Sequence, residues 1–136
     1  MTRNGLFLIL LYSAALSATA AEHSTYNYKT VGERKLLAHV VSPDGHNANT
    51  SAPALLFYHG GGFRAGSPQA GFSIGEELAK HGIVMIAVEY RFTTDPATMD
   101  QIIADGKSSV RWTRENATIL GIDPEKIIAS GHSRFP

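Results

Sequence analysis

Short apolar runs alternate with longer amphipathic segments over residues 54–131. The runs are ALLFYH at 54–59, IVMIAVEY at 83–90 and KIIASG at 126–131. Apolar runs of this length are typical of strands that are buried on both faces of a parallel sheet. The pattern therefore predicts three parallel strands that are joined by helices.

The two gaps between these runs carry helix signals. In the first gap, Ser67 and Pro68 predict a helix start, and Gly82 predicts its end. In the second gap, apolar and small residues recur at steps of four and three, which predicts one helical face packed on the sheet. The residues of this face are Met99, Ile103, Gly106, Val110, Thr113, Ala117 and Leu120. Because glycine weakens a helix interior, Gly106 leaves two shorter helices open as an alternative.

An antiparallel strand pair is predicted before these runs. TYNYKT and KLLAHVV flank the turn-forming VGER, which predicts strands at 26–30 and 36–41. The stretch SPDGHNANTSAP at 42–53 predicts a surface connection. An antiparallel pair followed by strand, helix, strand, helix, strand predicts the opening half of an α/β fold.

Charge and composition narrow the chemistry. The chain has 12 basic and 12 acidic residues, so it has no basic field to hold nucleic acid or an anionic membrane. The absence of cysteine excludes disulfides, thiolate zinc sites and cysteine nucleophiles. No carboxylate stands at metal-ligand spacing from the four histidines His23, His39, His46 and His81. We expect no metal, no cofactor and a neutral small-molecule or polymer substrate.

The N-terminal residues have the pattern of an export signal. Arg3 precedes the apolar block GLFLILLYSAAL at 5–16, and the small residues SATAA follow it. We predict a signal peptide at 1–20 that is cleaved near Ala20 or Ala21, which makes the protein secreted or periplasmic. An uncleaved membrane anchor is the alternative, which the short apolar block disfavours.

Two motifs follow the first and third buried runs. In HGGGFRAGS at 59–67, three adjacent glycines can turn backbone N–H groups toward a developing negative charge, or they can serve only a tight turn. In GHS at 131–133, Ser133 stands where a nucleophile elbow exposes its serine, although such a serine can also cap a helix. Both motifs lie at the carboxyl ends of predicted parallel strands, where open α/β sheets place their sites.

These motifs resemble a known family. The run FYHGGGFRAGS, followed by AVEYR, VRW, GIDPEKI and SGHS, is similar to the N-terminal half of α/β-hydrolase esterases of the hormone-sensitive-lipase and acetyl-esterase type. The resemblance implies that Ser133 is the nucleophile. It implies that the backbone N–H groups of Gly61, Gly62 and Arg134 form the oxyanion hole. It also implies that His59 braces the glycine-rich loop.

Two features depart from the family's pattern. The triad of this fold runs serine, acid, histidine along the chain, whereas all six histidines here precede Ser133. The elbow motif has glycine two residues after the serine, where Phe135 stands. We therefore expect residues 21–136 to be a partial domain, truncated after the elbow, without the triad acid and histidine. His132 is not expected to replace them, because neighbours on an elbow point apart.

The resemblance implies an exported serine carboxylesterase that cleaves small acyl esters through an acyl-serine intermediate. Acetyl groups on polysaccharides are one candidate substrate. A serine peptidase of the same fold is an alternative, which the His-Gly-Gly-Gly run disfavours. A catalytically inactive remnant without turnover is the alternative for these 136 residues themselves, because loss of a triad member removes most of the activity.

Overall fold

A computed structural model describes residues 20–133, which form one mixed five-stranded sheet with helices. The elements are β1 (Glu22–Val31), β2 (Arg34–Ser42), β3 (Ala52–Tyr58), α1 (Phe72–Ala79), β4 (Val84–Val88), α2 (Met99–Glu115) and β5 (Ile122–Gly131). The strand order is β1-β2-β4-β3-β5. The predicted fold class, the N-terminal half of an α/β-hydrolase fold, is confirmed.

The strand directions follow the predicted division of the chain. β1 pairs with β2 and β2 pairs with β4 in antiparallel fashion. β3 lies parallel to both β4 and β5. All five residues of β4 are buried, as expected of a strand inside the sheet whose two faces are both covered. The carboxyl ends of β3, β4 and β5 therefore share one edge of the sheet.

Each face of the sheet packs on a helix. On one face, Leu36, Leu56 and Ile86 are fully buried, and the partly buried Trp112 of α2 packs against them and stands 5.6 Å from the Tyr26 ring. On the other face, α1 packs close to the sheet at Gly75. A Cβ there would stand 2.6 Å from Met85 Cε, so no larger residue fits without movement.

The predicted face of the second helix is wrong at its N-terminal end. Met99 and Ile103 are 43 % and 51 % exposed. The residues that α2 buries are Ile102, Asp105, Ser109 and Thr113. Apolar spacing gave the wrong phase because the buried face is mostly polar and is held by hydrogen bonds and ion pairs instead of apolar contacts.

The helix bounds also differ from the prediction in part. α2 runs through Gly106 without a break, so the alternative of two shorter helices is wrong. It begins after Thr98, whose side chain and that of Gln101 form a reciprocal capping box. Ser67 caps a short 3-10 turn, Pro68–Gly71, and α1 follows it and ends before the predicted stop at Gly82.

β5 is longer than predicted because it starts before the Asp123-Pro124 turn. Ile122 pairs with Ala52, and Ile127 pairs with Ala54, so the four residues between them form a bulge. The Glu125 N–H donates to Asp123 Oδ1 within this bulge, at 2.9 Å.

The predicted signal peptide at 1–20 lies outside the described residues except for Ala20 and stays a prediction. Within residues 20–133, no helix has both the length and the apolar character that a membrane crossing requires.

Asp105 of α2 connects this helix to β1 and to the segment that follows β4. Its carboxylate is fully buried and accepts hydrogen bonds from Lys29 Nζ at 2.7 Å, Arg91 Nε at 2.8 Å and the Arg91 backbone N–H at 3.1 Å. Burial alone would raise the pKa of Asp105, but the hydrogen bonds from Arg91 and Lys29 outweigh it and lower that pKa below its usual value. The ion pairs therefore hold β1, α2 and the segment after β4 together.

Substitution Asp105→Asn should lower the free energy of unfolding by about 3 kcal/mol, because it leaves two partly buried cations without a counter-charge. Folding lowers the pKa of Asp105, so its stabilisation is present above the unfolded-state pKa of about 3.9 and is lost as the pH falls through the folded-state value. Urea denaturation of both proteins between pH 2 and 7 measures both effects, about 3 kcal/mol at neutral pH and a smaller difference in acid.

Glu77→Gln is the matched control, because it neutralises an exposed carboxylate that pairs with Lys80 at 2.6 Å. The control should leave the unfolding free energy nearly unchanged at neutral pH. An equal loss of stability in the two variants would contradict the structural role of Asp105.

Candidate active site

The glycine-rich loop and the Gly-His-Ser segment meet because β3 and β5 are neighbours. Tyr58, the last residue of β3, pairs with Gly131, the last residue of β5. The next residue on the β5 side, His132, donates its backbone N–H to the Tyr58 carbonyl at 3.0 Å. The residues that follow both strands therefore leave the sheet side by side at its carboxyl edge.

Gly60 permits the close approach of the two segments. A Cβ at this position would stand 2.6 Å from the His132 carbonyl oxygen and 3.1 Å from Ser133 Cα. The first distance is far below a van der Waals contact, so only glycine fits between the loop and the serine without a shift of the backbone. The sequence predicted that the loop and the serine share one edge, and the structure brings them into contact.

The loop turns sharply immediately after Gly60. Gly61 has a φ of 129°, and its carbonyl accepts hydrogen bonds from the Arg64 and Ala65 N–H groups at 3.1 and 3.3 Å. A Cβ on Gly61 would lie 1.9 Å from the Ala65 carbonyl oxygen. Glycine is thus needed at position 61 for the tight turn itself. The role of the backbone N–H groups in holding an oxyanion stays a prediction.

The segment after β4 fixes the outer side of this loop. Thr93 donates both its N–H, at 2.8 Å, and its hydroxyl, at 3.2 Å, to the Phe63 carbonyl. The Thr94 hydroxyl donates to the Arg64 carbonyl at 3.1 Å. Phe63 has a φ of 59°, a conformation that is strained for a side chain of this size. The three hydrogen bonds hold that conformation in place.

His59 is enclosed by the loop and by Tyr90. Its Nδ1 stands 2.8 Å from the Gly60 carbonyl, which can only accept, so Nδ1 carries the proton. The Tyr90 ring stacks on the imidazole at a centroid distance of 4.6 Å, and the Tyr90 hydroxyl donates to the His59 carbonyl at 2.5 Å. Burial raises the pKa of Tyr90, which keeps this hydroxyl protonated. The loop-bracing role of His59 stays a prediction.

Neither ring nitrogen of His59 bonds to Ser133. Nε2 is buried and has no hydrogen-bond partner among residues 20–133. Within the same residues, no hydrogen bond joins the Ser133 hydroxyl to any histidine. No histidine of the described residues is therefore hydrogen-bonded to this serine as a general base would be.

Ser133 is exposed and lines a cleft of about 450 Å³. Three glycines of the loop line the same cleft, so the serine and the loop face a common space. The full lining is Tyr58, His59, Gly60, Gly61, Gly62, Phe63, Tyr90, Ile102, Ile103, Gly106, Gly131, His132 and Ser133. The third predicted donor, Arg134, lies outside the described residues.

Sequence reasoning did not assign the wall of the cleft that Tyr58, Ile102 and Ile103 form. The Tyr58 hydroxyl is held by Ser109 Oγ at 2.8 Å and by the Gly106 carbonyl at 3.3 Å. Tyr58 belongs to a buried strand and the isoleucines to an amphipathic helix, so both read as core residues. The glycine at 106 was the one signal in the helix that pointed to something other than packing.

His39 and His46 do not line the cleft. His39 Nε2 lies 3.2 Å from Glu89 Oε1, and His46 Nε2 lies 2.7 Å from the Leu120 carbonyl. Across residues 20–133, no three His, Asp or Glu side chains are grouped so that they could hold a metal ion.

Comparison with known proteins identifies relatives of this arrangement. Esterase 2 of Thermogutta terrifontis is 35 % identical and superimposes with a TM-score of 0.77, covering 84 % of this chain and 40 % of its own. Carboxylesterase NlhH of Mycobacterium tuberculosis is 33 % identical over 89 residues, which are 60 % of this chain and 25 % of NlhH. Neuroligin-like protein glit-1 of Caenorhabditis elegans is 31 % identical over 110 residues, which are 75 % of this chain and 15 % of glit-1.

The chain spans less than half the length of each of these relatives. The BD-FAE family model matches residues 40–134, which include the glycine-rich loop, both helices and Ser133. That match covers more than half of the chain, and the sheet order places the matched motifs at one edge. The chain therefore belongs to the BD-FAE family, whose domains are esterases of the α/β-hydrolase type.

Proposed function

We propose that this chain carries the nucleophile and the oxyanion hole of an exported serine carboxylesterase that acts on small acyl esters. The observation that carries the proposal is the contact between the glycine-rich loop and the serine at the shared carboxyl edge of β3 and β5. A nucleophile beside a cluster of backbone N–H donors that line the same cleft is what acyl transfer requires.

The chemistry has two halves. In the first, Ser133 Oγ bonds to the ester carbonyl carbon while its proton passes to a base, and the carbonyl oxygen becomes an oxyanion. The N–H groups of Gly61, Gly62 and Arg134 stabilise that oxyanion. The intermediate then expels the alcohol, which takes up the proton, and an acyl-serine remains. In the second half, water attacks the acyl carbon and releases the carboxylic acid and free serine.

Two structures of one relative support a small acyl group. Esterase 2 of Thermogutta terrifontis has been solved with propionate bound and with butyrate bound. We extend this preference to the present chain as part of the proposal, with acetylated polysaccharide kept as one candidate substrate. Export is proposed on the signal-peptide pattern of residues 1–20.

The chain as printed is proposed to turn over esters slowly or not at all. A serine hydroxyl without a base is a poor nucleophile, and no hydrogen bond joins a histidine of residues 20–133 to the Ser133 hydroxyl. An inactive remnant is therefore the second candidate function for these 136 residues. A serine peptidase of the same fold is less favoured, because the His-Gly-Gly-Gly run is typical of esterases and lipases.

Imidazole in the buffer should partly restore ester hydrolysis by supplying the missing base to Ser133. We expect the rate of p-nitrophenyl butyrate hydrolysis by the chain, minus the rate with Ser133→Ala, to rise with imidazole concentration. A positioned base contributes about 10²–10⁴-fold, and free imidazole should recover a fraction of this. Subtraction of the variant removes direct catalysis by imidazole in solution.

Ser130→Ala is the matched control for this experiment, because it removes a hydroxyl from the same strand three residues earlier. It should respond to imidazole as the parent chain does. A fluorophosphonate probe should add its mass to the peptide that contains Ser133 and to no other. Equal rates for the parent and Ser133→Ala at every imidazole concentration would favour the inactive remnant.

Gly60→Ala should separate the loop from the serine, since its Cβ would overlap the His132 carbonyl. We expect a loss of about 1–3 kcal/mol in the free energy of unfolding from this overpacking. Labelling of Ser133 by the fluorophosphonate should slow by about tenfold or more, because displaced N–H donors no longer face the developing charge.

Gly131→Ala is the control, because a Cβ there meets nothing within 4 Å and its φ lies outside the left-handed range. Its unfolding free energy should stay within about 0.5 kcal/mol of the parent value. Unchanged labelling in Gly60→Ala would show that the loop does not act on the serine.

A further inference from the structure

The cleft that Ser133 lines is also lined by α2, whose residues there are two isoleucines and a glycine. Phe63 and Ile103 both line it and are 46 % and 51 % exposed, and Ile102, which is 4 % exposed, also lines it. Among the described residues that line the cleft, none is Asp, Glu, Lys or Arg. Such a surface favours an uncharged apolar group over a charged or strongly polar one.

Gly106 forms the part of this surface that belongs to the helix backbone. It lies in the middle of α2, where glycine is less favourable than alanine. Its φ is outside the left-handed range, and an added Cβ would stand 3.8 Å from Tyr58 Cε1, an ordinary contact. Neither backbone conformation nor packing therefore requires glycine at this position.

Tyr58, which also lines the cleft, is held against Gly106 by hydrogen bonds. The Tyr58 hydroxyl is bound to Ser109 and to the Gly106 carbonyl, so the ring cannot swing away from the helix without losing both bonds. A side chain longer than a methyl group at 106 would consequently extend into the cleft. The glycine keeps that space open at the expense of helix stability.

We propose that Gly106 keeps open a subsite for an uncharged apolar group of the ester, an alkyl or phenyl group, bounded by Phe63, Ile102 and Ile103. The subsite deepens the proposed esterase function and rests on it, since Ser133 lines the same cleft. Gly106 acts as a specificity-determining residue, because the volume left at this position sets the size of the group that fits.

Binding of a ketone tests the subsite without any need for turnover. Benzylacetone carries a phenyl group on a short chain next to a carbonyl that cannot be hydrolysed, and its para-carboxylate derivative adds one charge. We expect benzylacetone to shift the amide NMR signals of Ile102, Ile103 and Gly106 in the full chain. The carboxylate derivative should bind about tenfold more weakly or worse, because its charge would be buried among apolar side chains.

Gly106→Leu should weaken benzylacetone binding by about tenfold, the loss expected when a phenyl-sized group is no longer buried. Lys107→Leu is the matched control, because it adds the same side chain at the next, exposed position of α2 and should leave the affinity within about twofold. Gly106→Ala should raise the melting temperature, which would show that the glycine is not kept for stability.

A second pair of variants guards against misfolding of Gly106→Leu. Ile103→Ser and Ile119→Ser each remove an exposed isoleucine, but only the former lines the cleft. Ile103→Ser should weaken binding by about threefold or more and Ile119→Ser should not. Equal affinities within either pair, undetectable binding to the parent chain, or tight binding of the carboxylate derivative would overturn the subsite.

The outcomes separate the subsite from the esterase. If ester hydrolysis proves independent of Ser133 while the Gly106 variants behave as expected, the proposed function falls and the apolar subsite stands. If hydrolysis depends on Ser133 but Gly106→Leu binds normally, the subsite falls and the esterase stands.

Discussion

The parallel register between β3 and β5 is the constraint on which the candidate site depends. Pairing of Tyr58 with Gly131 sets the point at which both strands leave the sheet, and the hydrogen bond from His132 to Tyr58 extends that pairing by one step. A slip of one residue would turn every side chain of β5 to the opposite face. It would also move the serine away from Gly60. The relative position of the loop and the serine is therefore set by backbone pairing between β3 and β5.

A buried charge network connects the stability of the sheet to the shape of the glycine-rich loop. Asp105 binds the Arg91 side chain and its backbone N–H, which fixes the chain as it leaves β4. Two residues later, Thr93 and Thr94 hold the carbonyls of Phe63 and Arg64. Asp105 does not line the cleft. It fixes the segment after β4, and that segment holds the glycine-rich loop, which does line the cleft.

The parts of this fold that depend on local pattern could be predicted from the sequence. Continuous apolar runs located the three parallel strands, and their carboxyl ends located the loop and Ser133. The phase of α2 could not be found in this way, because the buried Asp105 and Ser109 hydrogen-bond to the distant residues Lys29 and Tyr58, and the buried Thr113 bonds to the Ser109 carbonyl. Periodicity measures where apolar residues recur, and it carries no information on polar groups that are buried with their partners.

The cleft was beyond sequence reasoning for a similar reason. Its walls come from β3, the glycine-rich loop and α2, so it exists only once these elements are packed. Gly60 illustrates the limit. The sequence indicated that three glycines formed a turn or an anion site, but the requirement at Gly60 is set by the His132 carbonyl, more than seventy positions away in the chain.

The left-handed backbone of Phe63 restricts how the cleft can diversify. A β-branched side chain is excluded at φ of 59°, and most other residues are strained there, so few substitutions are sterically acceptable at this rim. The exposed Ile103 of α2 lies in ordinary helical geometry, where the backbone accepts residues other than proline. Mutations that change what the cleft accepts are therefore far more accessible to evolution, and to a protein engineer, on the helix than on the loop.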